Sequence, residues 1–188
     1  MNQSDWNKST DIGLMLEELW TKHKEEKLVP ILHEFLLKCA RNIEVLLPQK
    51  DSVRGIEIGE KYLSGEVDED VLSDENWAVE GAAFCIDYNT EPEMIQPWIK
   101  NTELIPNDEI DRILSGENIT NIDTRRLLLD AAYFTDHAMI FPTCSHKNQI
   151  RESYVKFMHP EILRGIVANP EILPNKNSQT TLKSARLL

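Results

Sequence analysis

The sequence lacks the long apolar runs, the secretory leader and the paired cysteines that mark several classes of protein. No apolar stretch approaches the roughly 20 residues that cross a bilayer, and the N-terminus has no charged-then-apolar signal pattern. The three cysteines, Cys39, Cys85 and Cys144, form no CxxC motif and cannot all pair. Cys39 and Cys85 fall in apolar helical patterns, as reduced structural thiols do. We therefore expect a cytoplasmic protein with no membrane partner.

Motifs for common chemistry are also missing. The chain has no glycine-rich phosphate loop and no nucleophile elbow. We therefore predict no cofactor, and no sequence motif identifies a catalytic residue. Its 188 residues can bury one sizeable core. With 41% hydrophobic and 28% charged residues, the composition is that of an ordinary globular domain.

Apolar residues recur every three to four positions through most of the chain, which predicts a series of amphipathic helices. In the strongest pattern, Pro30 fits a first helical turn and Pro48 an end. No strand alternation or hairpin dipeptide competes with this pattern. The predicted helices cover residues 11–26, 27–47, 53–63, 105–114, 121–141, 147–158 and 160–168, with two acidic helix starts between Gly65 and Trp77.

The pattern predicts an all-α fold: one compact helical domain of seven to nine helices over residues 1–174, followed by a polar C-terminal tail, residues 175–188. Residues 28–64 and 122–158 have similar patterns, which leaves an internal helical repeat open. Asp51 or Ser52 is the expected N-cap of the third helix, and Gly65 its end.

Negative charge is concentrated in the middle of the chain. The net charge is −12, and residues 62–111 carry 14 Asp or Glu against a single Lys, a local balance of −13. The stretch GEVDEDVLSDENWAVEGAAFCIDY has eight carboxylates and no basic residue. This charge disfavours direct binding to a nucleic acid, because like charges repel, and favours a basic protein as partner.

Helix capping explains part of this acidic stretch. Asp68 is an expected N-cap with Glu69 and Asp70 in the first turn, and Ser73 is a second expected N-cap. The DxD run lacks the glycine and the terminal glutamate of a calcium loop, so we predict no metal site there. The remaining carboxylates form either a generic solvated surface or a docking surface.

The four tryptophans divide by their sequence surroundings. Trp20 and Trp77 fit core positions, whereas Trp6 and Trp98 lie in polar or proline-rich stretches where an exposed anchor is the alternative to a core position. Burial in the core is the general tendency for all four. Trp77 and Trp98 also flank or interrupt the acidic region, so they are the candidate anchors for a partner.

One cluster, DAAYFTDHAMIFPTCSH, contains side chains with catalytic potential. Asp130 and His137 stand seven residues apart and share a helix face, so a carboxylate would orient an imidazole. Asp136 is adjacent to His137. Cys144 and His146 could join His137 as zinc ligands, but the spacing of these three residues matches no established zinc motif. Asp130, Asp136 and His137 therefore define the alternative function, a metal- or His/Asp-dependent enzyme.

The segment CARNIEVLLPQKDSVRGIEIGEKYLSGEVDEDVL combines a Cys-Ala-Arg helix, a Leu-Leu-Pro stop, a helix ending in Tyr-Leu-x-Gly-Glu and an acidic helix start. It resembles helical domains in immunity proteins of bacterial polymorphic toxin systems and in related bacterial proteins. The phrase PEILRGIVANPEIL is similar to the Leu-Arg-x-x-x-x-Asn-Pro ending of such proteins. The resemblance implies an all-α fold and binding to a toxin, and it brings no catalytic residues. Asn76 and Trp77 depart from the alanine-rich start that the family has at this point.

The leading hypothesis from the sequence is a protein-binding inhibitor, most plausibly an immunity factor that neutralises a basic toxin through an acidic surface. A third hypothesis is a structural helical module that associates with itself through apolar helix faces. The predicted partner-binding residues are Glu66, Asp68, Glu69, Asp70, Asp74, Glu75, Trp77 and Trp98.

Overall fold

The computed structural model describes residues 1–47, 49–87, 105–115, 117, 121–143, 150 and 152–174. Eight α-helices lie in these ranges and no β-strand does, which confirms the predicted all-α class. Short 3-10 helices cover Glu44–Leu46, Phe141–Thr143 and Glu152–Phe157. The α-helices are α1 Gln3–Lys8, α2 Ile12–Lys22, α3 Glu25–Asn42, α4 Lys50–Ser64, α5 Glu69–Asp87, α6 Asn107–Leu114, α7 Ile122–Ile140 and α8 Pro160–Ile166.

Helix α7 lies at the centre of the fold. It packs against α3, α4 and α5, and its contact with α5 is the most extensive helix pair. Asn121 caps its start by accepting hydrogen bonds from the backbone of Asp123 and Thr124 at 3.0 and 3.1 Å. Its apolar residues are buried on several sides, as the few polar gaps in its sequence predict.

Helix α4 packs closely on its neighbours because two glycines leave room. A Cβ at Gly55 would lie 2.8 Å from Val79 Cγ2, and a Cβ at Gly59 would lie 2.7 Å from Leu37 Cδ2. The helix ends at Gly65, whose φ of 78° lies in the left-handed region that glycine adopts freely. The predicted stop at Gly65 is thus confirmed.

Several predicted helix boundaries are wrong. The third helix starts at Lys50, after Gln49, so neither Asp51 nor Ser52 is its N-cap. Helix α3 starts at Glu25, which places Pro30 in the second turn. The expected helix over residues 147–158 is, where described, the 3-10 helix Glu152–Phe157. Residues 144–149 and 151, which belong to the second copy of the possible internal repeat, lie outside the described residues.

The two ends of the described chain pack together. Trp6, for which burial was predicted with an exposed anchor as the alternative, is fully buried in the main core, and its indole N–H donates to the carbonyl of Val167 at 3.0 Å. Arg164 donates to the Ser9 carbonyl at 2.7 Å. Burial of Trp6 depends on α8, 160 residues along the chain, which local sequence could not show. The predicted tail, residues 175–188, lies outside the described residues.

Cysteine placement agrees with structural thiols. Cys39 is buried in α3, where desolvation raises its thiol pKa to about 12. A thiol with such a pKa stays protonated and is a poor nucleophile. Cys85, in α5, has intermediate exposure, and Cys144 lies outside the described residues.

Candidate functional site

Several carboxylates of the acidic stretch have local structural roles. Asp68 accepts from the backbone N–H of Val71 at 3.2 Å and so acts as the predicted N-cap. Glu66 accepts from the Ser64 hydroxyl at 2.7 Å. Glu75 pairs with Arg54 of α4 at 2.5 Å. The Glu75 pair joins α5 to α4, and the other two contacts are local, so these three carboxylates are not the most available ones for a partner.

Helix α5 does not restart at Ser73. The predicted second N-cap is wrong, because α5 runs without interruption from Glu69 to Asp87. Leu72, Val79, Ala83 and Ile86 lie along its buried face, and this burial stabilises a continuous helix. As a result Asp70 and Asp74 stand one turn apart on the same helix, and the phase of the acidic residues is fixed.

Asp70 and Asp74 point to solvent on the side of α5 away from the core. Both are exposed, and in the described part of the chain neither forms an ion pair. Glu69, in the first turn, is also exposed and stands close enough to raise the pKa of Tyr62 through its negative charge, after the larger effect of burial. These three carboxylates are available to a basic partner.

The same side of α5 carries two exposed aromatic residues. Trp77, predicted as a core residue by its apolar surroundings, is 80% exposed. Phe84, seven residues later, is 42% exposed and its ring contacts that of Tyr133 edge-on, with centroids 6.1 Å apart. We name the residues on this side the α5 stripe: Asp70, Asp74, Trp77, Gly81 and Phe84.

The α5 stripe joins the predicted acidic residues to an aromatic surface that the sequence reading missed. Phe84 and Gly81 were not predicted as site residues. Their signal is the spacing of four, three, four and three residues from Asp70 to Phe84, which places all five on one side of a helix. Trp98, the other predicted anchor, lies outside the described residues.

The alternative polar site is divided between two neighbouring elements. Lys156 donates to Asp130 at 2.6 Å, and the Tyr154 hydroxyl is 2.8 Å from His137 Nδ1, so both α7 residues face the Glu152–Phe157 segment, as their shared helix face predicts. Asp136 is buried on another side of α7, where it accepts from Asn76 of α5 at 2.7 Å.

These contacts are typical of packing between helices and do not form a reaction centre. The cavity beside His137 has a volume of about 10 Å³, room for no more than a single water molecule. It is lined mostly by apolar side chains, including Leu36, Phe134 and Phe141. Within the described ranges, no three His, Cys, Asp or Glu side chains come close enough to hold a metal ion. Cys144 and His146 lie outside those ranges.

A buried histidine in α3 was not singled out from the sequence. His33 is fully buried, its Nε2 lies 3.1 Å from the Met139 carbonyl, and its Nδ1 has no hydrogen-bond partner. Desolvation lowers its pKa to about 3, so the ring is neutral at physiological pH. Because it is enclosed by α3, α4 and α7, we assign it a structural role.

No family model matches the chain, and no match is found among curated proteins or solved structures. Of the helices that the structure describes, none has the length and apolar character needed to span a membrane.

Proposed function

We propose that this protein binds and inhibits a basic protein, which docks on the α5 stripe. The observation that carries the proposal is the pairing of an 80% exposed Trp77 with exposed Asp74 and Asp70 one and two turns earlier on the same side of α5. A large aromatic residue in solvent contributes little to folding, whereas tryptophan is prominent among residues that dominate binding energy at interfaces.

Charge supports a basic partner. Residues 62–111 carry a balance of −13, and the exposed Glu69, Asp70 and Asp74 of this range give the surface around α5 a negative potential, which attracts positive proteins and speeds their encounter. Asp70 and Asp74 form no ion pair within the described residues, so no cation there neutralises them. In this mechanism Asp70 and Asp74 steer the approach, and Trp77 becomes buried in the partner.

The finer proposal is that the partner is a toxin and that this protein is its immunity factor, acting by covering the toxin's active site. The sequence resemblance described above supports this class of function. The enzyme and self-association hypotheses remain alternatives, and the experiment below separates them from partner binding.

The test is a comparison of proteins captured by the wild type and by Asp70→Asn/Asp74→Asn from a lysate of the source cells, washed at low and at high salt. We expect a basic protein retained by the wild type at low salt, lost in the variant and released by about 1 M salt, where the screening length falls to about 3 Å. The captured protein is then purified and its activity measured with increasing amounts of the wild type.

A matched control is Glu17→Gln/Glu57→Gln, which removes the same charge from exposed positions on α2 and α4. It should retain the partner. If both double variants lose the partner equally, net charge and not the α5 stripe controls capture. If neither variant changes capture, or if the purified partner keeps full activity in the complex, the proposed inhibitory docking is wrong.

A further inference from the structure

The α5 stripe has the spacing of a helix-pairing seam. Its five residues follow one another at intervals of four, three, four and three, the pattern of the a and d positions that meet a second helix in a coiled coil. They extend over about 21 Å at 1.5 Å per residue. The opposite side of α5 already packs on α4 and α7. The helix therefore has a second, solvent-facing side with the geometry to receive another helix.

Gly81 occupies the centre of the apolar half of this seam, and the fold does not require a glycine there. A Cβ at Gly81 would meet no atom within 4 Å, in contrast to the close contacts at Gly55 and Gly59. Glycine inside a helix costs about 1 kcal/mol relative to alanine. No neighbour in the described part of the chain explains the glycine, and the missing side chain leaves a recess for a group that approaches from solvent.

Two large side chains border the recess. Trp77 and Phe84 lie on its two sides along the axis, two helical turns or about 10.5 Å apart. In packed helices a side chain of one helix, the knob, fills a hole bordered by side chains of the other. Asp74 lies seven residues before Gly81. A complementary helix would therefore carry the Lys or Arg that meets Asp74 about seven residues away from the apolar side chain that fills the recess at Gly81.

We propose that the α5 stripe receives an amphipathic helix of the basic partner, with a large apolar side chain over Gly81 and Lys or Arg side chains against Asp70 and Asp74. This inference rests on the proposed function and specifies the partner's binding element. Charge selects such a helix over a second copy of this protein, because two copies would bring together two segments that each carry a balance of −13.

The probes are fluorescein-labelled helical peptides of about 21 residues, or three heptads, which cover the seam of about 21 Å with about one turn to spare at each end. The first has lysines at the seam positions of one half and leucines at those of the other. A second replaces the lysines with glutamates, and a third replaces the central leucine with alanine. Fluorescence anisotropy with the full chain at low salt measures binding. We expect the lysine–leucine peptide to bind at least about tenfold more tightly than either of the others.

The decisive variant is Gly81→Leu, which fills the recess. The wild type should prefer the peptide with the central leucine, and Gly81→Leu should lose or reverse that preference, because two large side chains cannot share one hole. Gly165→Leu is the matched control: Gly165 also lies in a helix, and a Cβ there also meets no atom within 4 Å. It should keep the wild-type preference.

The proposal is overturned if the lysine–leucine peptide does not bind the full chain, or if Gly81→Leu leaves the leucine preference unchanged. It is also overturned if sedimentation shows a dimer that both Trp77→Ala and Gly81→Leu dissociate, since the seam then belongs to a second copy. If capture of the natural partner depends on Asp70 and Asp74 while the peptides ignore Gly81, the docking surface stands and the helix inference alone is wrong.

Discussion

Replacing Trp77 and Trp6 with alanine, one at a time, should give opposite results in folding and binding. Trp6 is fully buried and donates to the Val167 carbonyl, whereas Trp77 is 80% exposed. Trp6→Ala should lower the free energy of unfolding by about 3–5 kcal/mol, the usual cost of removing a buried aromatic side chain. Trp77→Ala should change it by no more than about 0.5 kcal/mol, as exposed substitutions do.

The expected effect of Trp77→Ala on binding follows from its exposed area. A tryptophan offers up to about 250 Å², so 80% exposure leaves about 200 Å² for a partner to cover. At about 25 cal/mol per Å² the upper limit is about 5 kcal/mol. Since association has entropic costs and alanine keeps part of the contact, we expect a loss of about 2–4 kcal/mol, or roughly 30- to 1000-fold in Kd.

Urea unfolding measures the first quantity, and titration with the purified basic partner measures the second. Leu14→Ala is a control, because Leu14 is 54% exposed on α2, away from the α5 stripe. Both its stability and its binding should stay near the wild type. A loss of several kcal/mol of stability in Trp77→Ala would show that Trp77 packs in the core, and unchanged affinity would refute its role as an anchor.

Three further predictions concern the fold. The pKa of His33 is about 3 in the folded state against 6.5 in the unfolded state, so its contribution to stability is present above pH 6.5 and is lost as pH falls toward 3. Between pH 7 and 5, the free energy of unfolding of the wild type, measured by urea titration, should fall by about 2 kcal/mol more than that of His33→Leu. Equal losses would contradict this. Asn76→Ala removes the amide that Asp136 accepts, and calorimetry should show a loss of about 1–3 kcal/mol; an unchanged Tm would argue against that bond. Gly65→Ala should cost about 1 kcal/mol because its φ is 78°, and no loss on chemical unfolding would mean that the helix end can rearrange.

Local features of the sequence were sufficient for the helical class and for several helix ends. The spacing of apolar residues predicted α7. The residue types at two positions predicted that Asp68 caps the start of α5 and that α4 ends at Gly65. These predictions succeeded because hydrogen bonds and steric limits within a few residues decide them. Ser73 failed as an N-cap for the complementary reason: burial of the far side of α5 against α4 and α7 keeps the helix continuous.

The candidate site was only half predictable. Composition placed the negative charge in the middle of the chain, but it could not tell which carboxylates face solvent, because that depends on the phase of α5 and on partners such as Arg54 for Glu75. The same limit explains why the sequence placed Trp77 in the core: its apolar neighbours suggest burial, but the phase of α5 leaves it exposed.

The sequence by itself therefore determined the all-α class, the concentration of negative charge in the middle of the chain and the spacing that places residues on one side of a helix. Only the tertiary structure decided which side of α5 faces solvent. The packing of α5 on α4 and α7 occupies one side of that helix and leaves the α5 stripe in solvent. Contacts between residues far apart in the chain set that choice, and no local pattern of side chains encodes them.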